Sequence, residues 1–156
     1  MSAIAVWIAI LVAGYFIADR LTAPPPEVRS STGGVTQIVV AVARDGHYYL
    51  DGAINGQPLR FLVDTGASYV SVGADFARSA GLPQGIPGYF STANGNVEGR
   101  IVKNQRVSVA GFDVSGLSVA VMPAAAEQGL LGQNFLRNFE VSQSGGQLIL
   151  KFRQSP

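Results

Sequence analysis

The chain contains no cysteine and a single histidine in 156 residues. Disulfides, thiolate metal sites and cysteine nucleophiles are therefore excluded, and a Ser-His-Asp arrangement has only His47 to draw on. That histidine sits in Gly46-His47-Tyr48, a strand or turn context. No cluster of carboxylates and histidine has metal-ligand spacing, so no metal and no cofactor is expected. Charge is scarce too, at 13% of residues with a net value of +1. Without a basic run or an interleaved aromatic patch, the chain has no electrostatic footprint for nucleic acid. What it has in quantity is apolar residues, at 47%, with 19 glycines and eight prolines. That balance predicts a turn-rich, β-rich domain rather than a helical bundle.

The apolar excess is partly N-terminal. Ala3 to Ala18 is uninterrupted by charge, and with Met1 and Ser2 it approaches the roughly 17–25 residues that span a bilayer. No Lys or Arg precedes the run and no small-x-small site follows it, which favours an uncleaved anchor over a signal peptide. Residues 1–18 are thus expected to be a single-pass transmembrane helix. Residues 19–34, with Pro24-Pro25-Pro26 and Ser30-Ser31-Thr32-Gly33-Gly34, read as a tether, stiff and then flexible. Arg20 and Arg29 weakly favour a cytoplasmic location for the flank that follows the anchor.

A folded domain is expected over 35–153. Gln37 to Val42 reads as an edge strand or part of a dimer contact. Gly46–Ile54 and Leu59–Val63 flank Asn55-Gly56, a strong hairpin signal. Ala74–Ala80 reads as a short helix stopped by Gly81, and the segment from Pro83 to Gly88 as irregular. Phe90–Val97 forms a second hairpin with a glycine-containing tip. Ile101–Val109 and Val114–Val121 alternate around Ala110-Gly111, a short helix is expected through Leu136-Arg137-Asn138, and Leu148–Phe152 closes the domain.

The chemistry concentrates at Phe61-Leu62-Val63-Asp64-Thr65-Gly66-Ala67-Ser68. An apolar run delivers Asp64 into a tight turn, where Gly66 allows close backbone approach and Thr65 and Ser68 supply hydroxyls. Peptide hydrolysis by carboxylates needs two of them around one water, sharing a proton because two such close charges do not both ionise. No other aspartate has this context: Asp19, Asp75 and Asp113 lack the glycine turn, and Asp45 and Asp51 lack the apolar lead-in. One active carboxylate per chain implies a symmetric homodimer, with Asp64 opposite its own copy. The Phe90–Val97 hairpin would be the lid over an extended peptide. Gly129-Leu130-Leu131-Gly132 would pack beneath the catalytic turn, where a larger side chain would displace it.

With three elements in order, the domain resembles the retropepsin-like aspartic peptidases, in particular bacterial membrane-anchored members. Asp-Thr-Gly-Ala-Ser at 64–68, Thr-Ala-Asn-Gly at 92–95 and Leu-Leu-Gly at 130–132 carry the likeness. The resemblance implies an all-β fold of small closed sheets with one or two short helices, working as a homodimer on a protein or peptide substrate. Asp64 would be catalytic, with Thr65, Gly66, Ala67 and Ser68 as its loop; Thr65 would bond across the two-fold to its copy, and Gly66 would meet the peptide backbone. Thr92, Ala93, Asn94 and Gly95 would form the flap tip, and Leu130, Leu131 and Gly132 the support. A periplasmic catalytic domain is the further implication. Gln133 departs from the pattern, since viral relatives often carry Arg there for dimer packing. Viral dimers also pair their termini in a sheet, which leaves the role of Leu148–Phe152 open. The rival class is a catalytically silent, membrane-anchored β-domain that binds a peptide in the same cleft.

Overall fold

The computed structural model describes residues 27–30, 36–92, 95–123 and 127–153. The expected anchor at 1–18 lies outside them. Among the described residues no helix is long and apolar enough to cross a membrane. Eleven strands and two short helices follow one another: β1 (Glu27–Ser30), β2 (Thr36–Ala41), β3 (Tyr49–Ile54), β4 (Gln57–Val63), β5 (Val70–Gly73), α1 (Ala74–Ser79), β6 (Ile86–Thr92), β7 (Gly95–Val109), β8 (Phe112–Met122), β9 (Gly129–Leu131), α2 (Gln133–Leu136), β10 (Phe139–Ser144) and β11 (Gln147–Phe152). The expected all-β class with short helices is what the chain adopts.

A seven-stranded sheet runs β3-β4-β9-β5-β8-β7-β6, and β3 also pairs with β7 through Gly52↔Val109, Ala53↔Ser108 and Ile54↔Val107. That pairing closes the sheet on itself, while β6 and the first part of β7 project from it as a hairpin. Inward residues of the closed sheet are the alternate apolar positions of its strands: Leu50, Ile54, Phe61, Val70, Val72, Val107, Val109 and Val119 are all buried. Each such side chain contributes about 1.5–3 kcal/mol on burial. The β3–β4 turn is the expected Asn55-Gly56, with both residues at positive φ (51° and 87°). Asn55 does more than turn the chain: its amide Oδ1 accepts the Arg106 N–H and its Nδ2 donates to Gln105, tying the hairpin tip to β7. Helix α1 ends where Gly81 predicts, with Leu82 N–H returning to Ala77 carbonyl at 2.9 Å, the bond of a left-handed glycine stop.

The second sheet has the order β1-β2-β11-β10. An aromatic cluster fastens it to the closed sheet: Phe139 of β10 packs on Phe112 of β8 (5.1 Å), Phe135 of α2 (5.4 Å) and Phe152 of β11 (5.6 Å).

Several expectations are corrected here. Strand β2 is not an edge, because β1 pairs with it on one side and β11 on the other. Glu27–Ser30, within the segment read as a tether, is that β1 strand. Pro87 and Gly88, read as irregular, belong to β6; as the edge strand it loses no ladder bond to a proline facing away from its neighbour. The second helix starts at Gln133 and ends at Leu136, before the Arg137-Asn138 expected to close it. Residues 46–48, read as the start of β3, precede it: the turn lies at residues 44–46, and β3 begins at Tyr49.

Candidate active site

Asp64 is the first residue beyond β4, and its loop returns to the sheet at Val70 in β5. Between those two strands lies β9, parallel to β4 through Phe61↔Gly129, Leu62↔Leu130 and Val63↔Leu131 and touching β5 at Ser71↔Leu130. The loop therefore arches over the end of β9, and Gly132 stands directly beneath it. A Cβ at Gly132 would sit 2.3 Å from the Tyr69 carbonyl oxygen and 2.8 Å from that of Ala67. No real side chain tolerates that approach, so glycine is a requirement of the arch. Leu131 beside it is fully buried and Leu130 partly so.

Backbone bonds hold the loop from below. Asp64 N–H donates to Leu131 carbonyl at 3.2 Å, and Gln133 and Asn134 N–H donate to the Ala67 and Ser68 carbonyls at 2.8 and 3.1 Å. Within the loop, Gly66 N–H donates to Asp64 Oδ1 at 2.8 Å, fixing the rotation of the carboxylate. Asp64 is half-buried, whereas Thr65, Gly66 and Ser68 are exposed and Ala67 is half-buried. The carboxylate thus sits in a shallow, open position rather than in a closed pocket.

Two side chains at the start of α2 complete the support, and sequence reasoning missed both. Asn134 accepts Val70 N–H on Oδ1 at 2.8 Å and donates from Nδ2 to Ser118 carbonyl at 2.7 Å, joining the loop exit to β8. Gln133 Nε2 donates to Thr65 carbonyl at 2.8 Å, spanning the turn next to the aspartate. The position where Arg is common in viral relatives thus serves the Asp loop of its own chain.

Of the expected flap tip, Ala93 and Asn94 lie outside the described residues. Thr92 and Gly95 end the two arms, paired with each other and joined by Thr92 Oγ1 donating to Gly95 carbonyl at 2.8 Å. The flap is longer than expected, pairing from Ile86↔Ile101 to Thr92↔Gly95.

On the far side of β4, Val63 N–H donates to Tyr48 carbonyl at 2.9 Å, so the 43–48 turn braces the strand that delivers Asp64. In that turn, the Tyr49 hydroxyl and the His47 amide both donate to Asp45 and hold its carboxyl below the usual range. The same bond pushes the Tyr49 hydroxyl up. His47 is therefore a turn residue whose amide is used. The exposed Arg106–Asp113 pair, in which Nε and one terminal guanidinium nitrogen donate to the two carboxylate oxygens at 3.1 and 2.9 Å, lowers Asp113 and raises Arg106 well away from the site. Among the described residues no group of three His, Asp or Glu converges on a metal position.

A family model described as gag-polyprotein putative aspartyl protease matches residues 50–138, more than half of the chain. The chain belongs to the retropepsin-like aspartic proteases. This retropepsin-like chain is 25% identical to a crystal structure of a retropepsin-like aspartic protease from Rickettsia conorii, with a TM-score of 0.58 over 83% of this chain and 96% of that one. It is 30% identical over 110 residues to an uncharacterized protein of Rickettsia prowazekii, covering 68% of this chain and 47% of the relative. A protein in the cobV 5′ region of Sinorhizobium sp. is 27% identical over 114 residues, covering 70% and 49%. The chain spans about half the length of these curated relatives. The matched span of the family model runs from Leu50 in β3 to Asn138 after α2, and so contains the Asp loop, the flap arms and the β9–α2 support together.

Proposed function

We propose that the protein is an aspartic endopeptidase whose active site forms where two copies meet, each contributing one Asp64. The observation that carries this reading is the Asp64 loop: a carboxylate at a strand end, oriented by the Gly66 amide and held by β9 and α2 from below. In the dimer, the ionised Asp64 takes a proton from water as the water oxygen bonds to the scissile carbonyl carbon. The partner's Asp64, protonated, donates to the carbonyl oxygen. The resulting diol collapses as the C–N bond breaks, the leaving nitrogen gaining the proton first taken from water and the diol returning its own to the second carboxylate. Thr65, exposed beside the aspartate, would meet its copy across the two-fold, and the flap arms would cover an extended peptide.

The terminal sheet bears on how such a dimer is held. Strand β11 is flanked by β2 and β10 of its own chain, so both of its edges are occupied and it has none to exchange with a partner. The second copy would dock through the Asp loops and flaps instead.

Cleavage of a mixed peptide library by the domain, from acid to neutral pH, tests the reading. Wild type should cut and Asp64→Asn should lose essentially all activity with its fold intact. At constant total protein, mixing in Asp64→Asn should lower activity as the square of the wild-type fraction; a linear fall would refute the shared dyad. A well-folded dimer that cuts nothing would instead be a peptide-binding domain.

Residues 1–18 we propose as a single-pass membrane anchor, supported by the charge-free run from Ala3 to Ala18, with the domain on the periplasmic side, as the resemblance read from the sequence motifs implies. Protease added to intact spheroplasts should digest the domain of the full chain; digestion only after lysis would reverse the orientation, and release by alkaline carbonate would remove the anchor.

A further inference from the structure

The strand that delivers Asp64 is held on its other side through a second carboxylate, one that peptide hydrolysis does not use. Asp45 is exposed in the segment between β2 and β3, yet both of its oxygens are engaged. Oδ1 accepts the His47 N–H at 3.0 Å and Oδ2 accepts the Tyr49 hydroxyl at 2.6 Å. These bonds, that of Tyr49 first, hold the carboxyl below its usual range. At neutral pH the acceptor is therefore ionised, and its bonds are the stronger for that.

Tyr48 lies between the two clamped residues. Its carbonyl accepts the Val63 N–H at 2.9 Å, which extends the β3–β4 ladder one pair beyond Tyr49↔Leu62. Val63 is the residue before Asp64, so this is the last β3–β4 bond before the catalytic loop. A strand end is where a ladder opens most readily, and here the end is braced. The Arg60 guanidinium of β4 lies 5.0 Å from the centre of the Tyr49 ring. Gln143 of β10 donates to the Tyr48 hydroxyl at 2.8 Å, and Ala43 N–H donates to the His47 carbonyl at 2.8 Å.

We propose that Asp45 is a positioning residue for catalysis: its clamp on His47 and Tyr49 carries the β3–β4 ladder to Val63 and so fixes the approach to Asp64. The inference rests on the endopeptidase reading above and adds to it a residue outside the Asp loop, the flap and the β9–α2 support. With the clamp released, the ladder would end at Leu62. Asp64 would keep its bonds to Gly66 and Leu131 while the chain leading into it could shift. A displacement of about 1 Å at a catalytic group costs up to about 100-fold in rate. A loss carried by kcat rather than KM marks an interaction that serves the reacting group and not the binding of substrate.

The test compares the full-length protein with Asp45→Ala, Tyr49→Phe and Asp45→Asn by peptide cleavage, thermal melting and amide exchange read by NMR. Asp45→Ala should lower kcat about tenfold with KM changed by less than about twofold. Its Val63 amide should exchange about tenfold faster or more. Tyr49→Phe keeps the ring, loses the hydroxyl and should act in the same direction by less. Asp45→Asn should recover most of the loss, since its Oδ1 still accepts from His47 and its Nδ2 can donate to the Tyr49 oxygen. Asp113→Ala, at an exposed and ion-paired aspartate away from the site, should leave kcat and Val63 exchange unchanged. Should Asp45→Ala fail to fold, Tyr49→Phe carries the same comparison. A folded Asp45→Ala with wild-type kcat and Val63 exchange, or with a loss no larger than its unfolded fraction, would overturn the positioning role and leave the peptidase standing. No cleavage by wild type, with Val63 exchange still dependent on Asp45, would overturn the peptidase reading and the catalytic role with it, leaving the clamp as a brace.

Discussion

The floor and the roof of the site are built in opposite ways. The floor, residues 64–69, is fixed by backbone bonds to Leu131, Gln133 and Asn134 and by the side chains of Gln133 and Asn134, all within one stretch of chain. The roof, β6 with residues 95–99 of β7, pairs only with itself beyond the point where Arg100 meets Val121 of β8. Its side chains are mostly exposed, Tyr89 among them at 80%. A carboxylate gains from being pre-positioned before substrate arrives, whereas a lid has to admit an extended peptide before it closes. In the proposed peptidase, the closed sheet would meet both needs by ending its shared pairing where the flap begins.

The largest expected effect in that comparison is at Gly132. Alanine there would place its Cβ 2.3 Å from the Tyr69 carbonyl oxygen, a backbone atom that cannot swing aside. Either the arch lifts off β9, carrying Asp64 with it, or the domain does not fold. We expect a loss of about 3 kcal/mol or more, which lowers the melting temperature by roughly ten degrees or more. Activity should fall further than the unfolded fraction explains. A Gly132→Ala protein that melts and cuts like wild type would show the floor to be as compliant as the roof.

Gly132 was legible from the chain because it ends an apolar Leu130-Leu131 pair, and Asp64 because an apolar run leads into a Thr-Gly turn. Both signals are local. Gln133 and Asn134 were not legible, since each acts on residues more than sixty positions earlier and an Asn after a glycine turn reads only as a helix start. Strand β10 was missed for another reason. Phe-Glu-Val-Ser-Gln-Ser has five exposed residues out of six, so it lacks the apolar alternation that marks a half-buried strand. The same holds for the base of the flap, where Pro87 and Gly88 have poor strand propensity and are tolerated because β6 is an edge. What the local pattern could not supply was pairing between distant segments, and that pairing also decides that β11 is enclosed within its own chain.

A smaller effect sharpens the contrast, by pairing one substitution in the floor with one in the roof. Asn134→Ala leaves the Val70 N–H and the Ser118 carbonyl without their side-chain partners, the first in a fully buried residue. An unsatisfied buried group costs about 1–3 kcal/mol, so the variant should lose stability in that range. It should also lose kcat more than KM rises, because the bond it removes positions the exit of the Asp loop and touches no peptide. Tyr89→Ala removes a larger side chain from an exposed strand face, and a surface substitution of that kind falls within about 0.5 kcal/mol of neutral. Chemical denaturation of both variants beside wild type reads the difference directly. If Tyr89→Ala proved the more destabilising, the flap would be packed against something its exposure does not reveal, and a second copy of the chain would be the first occupant to seek there.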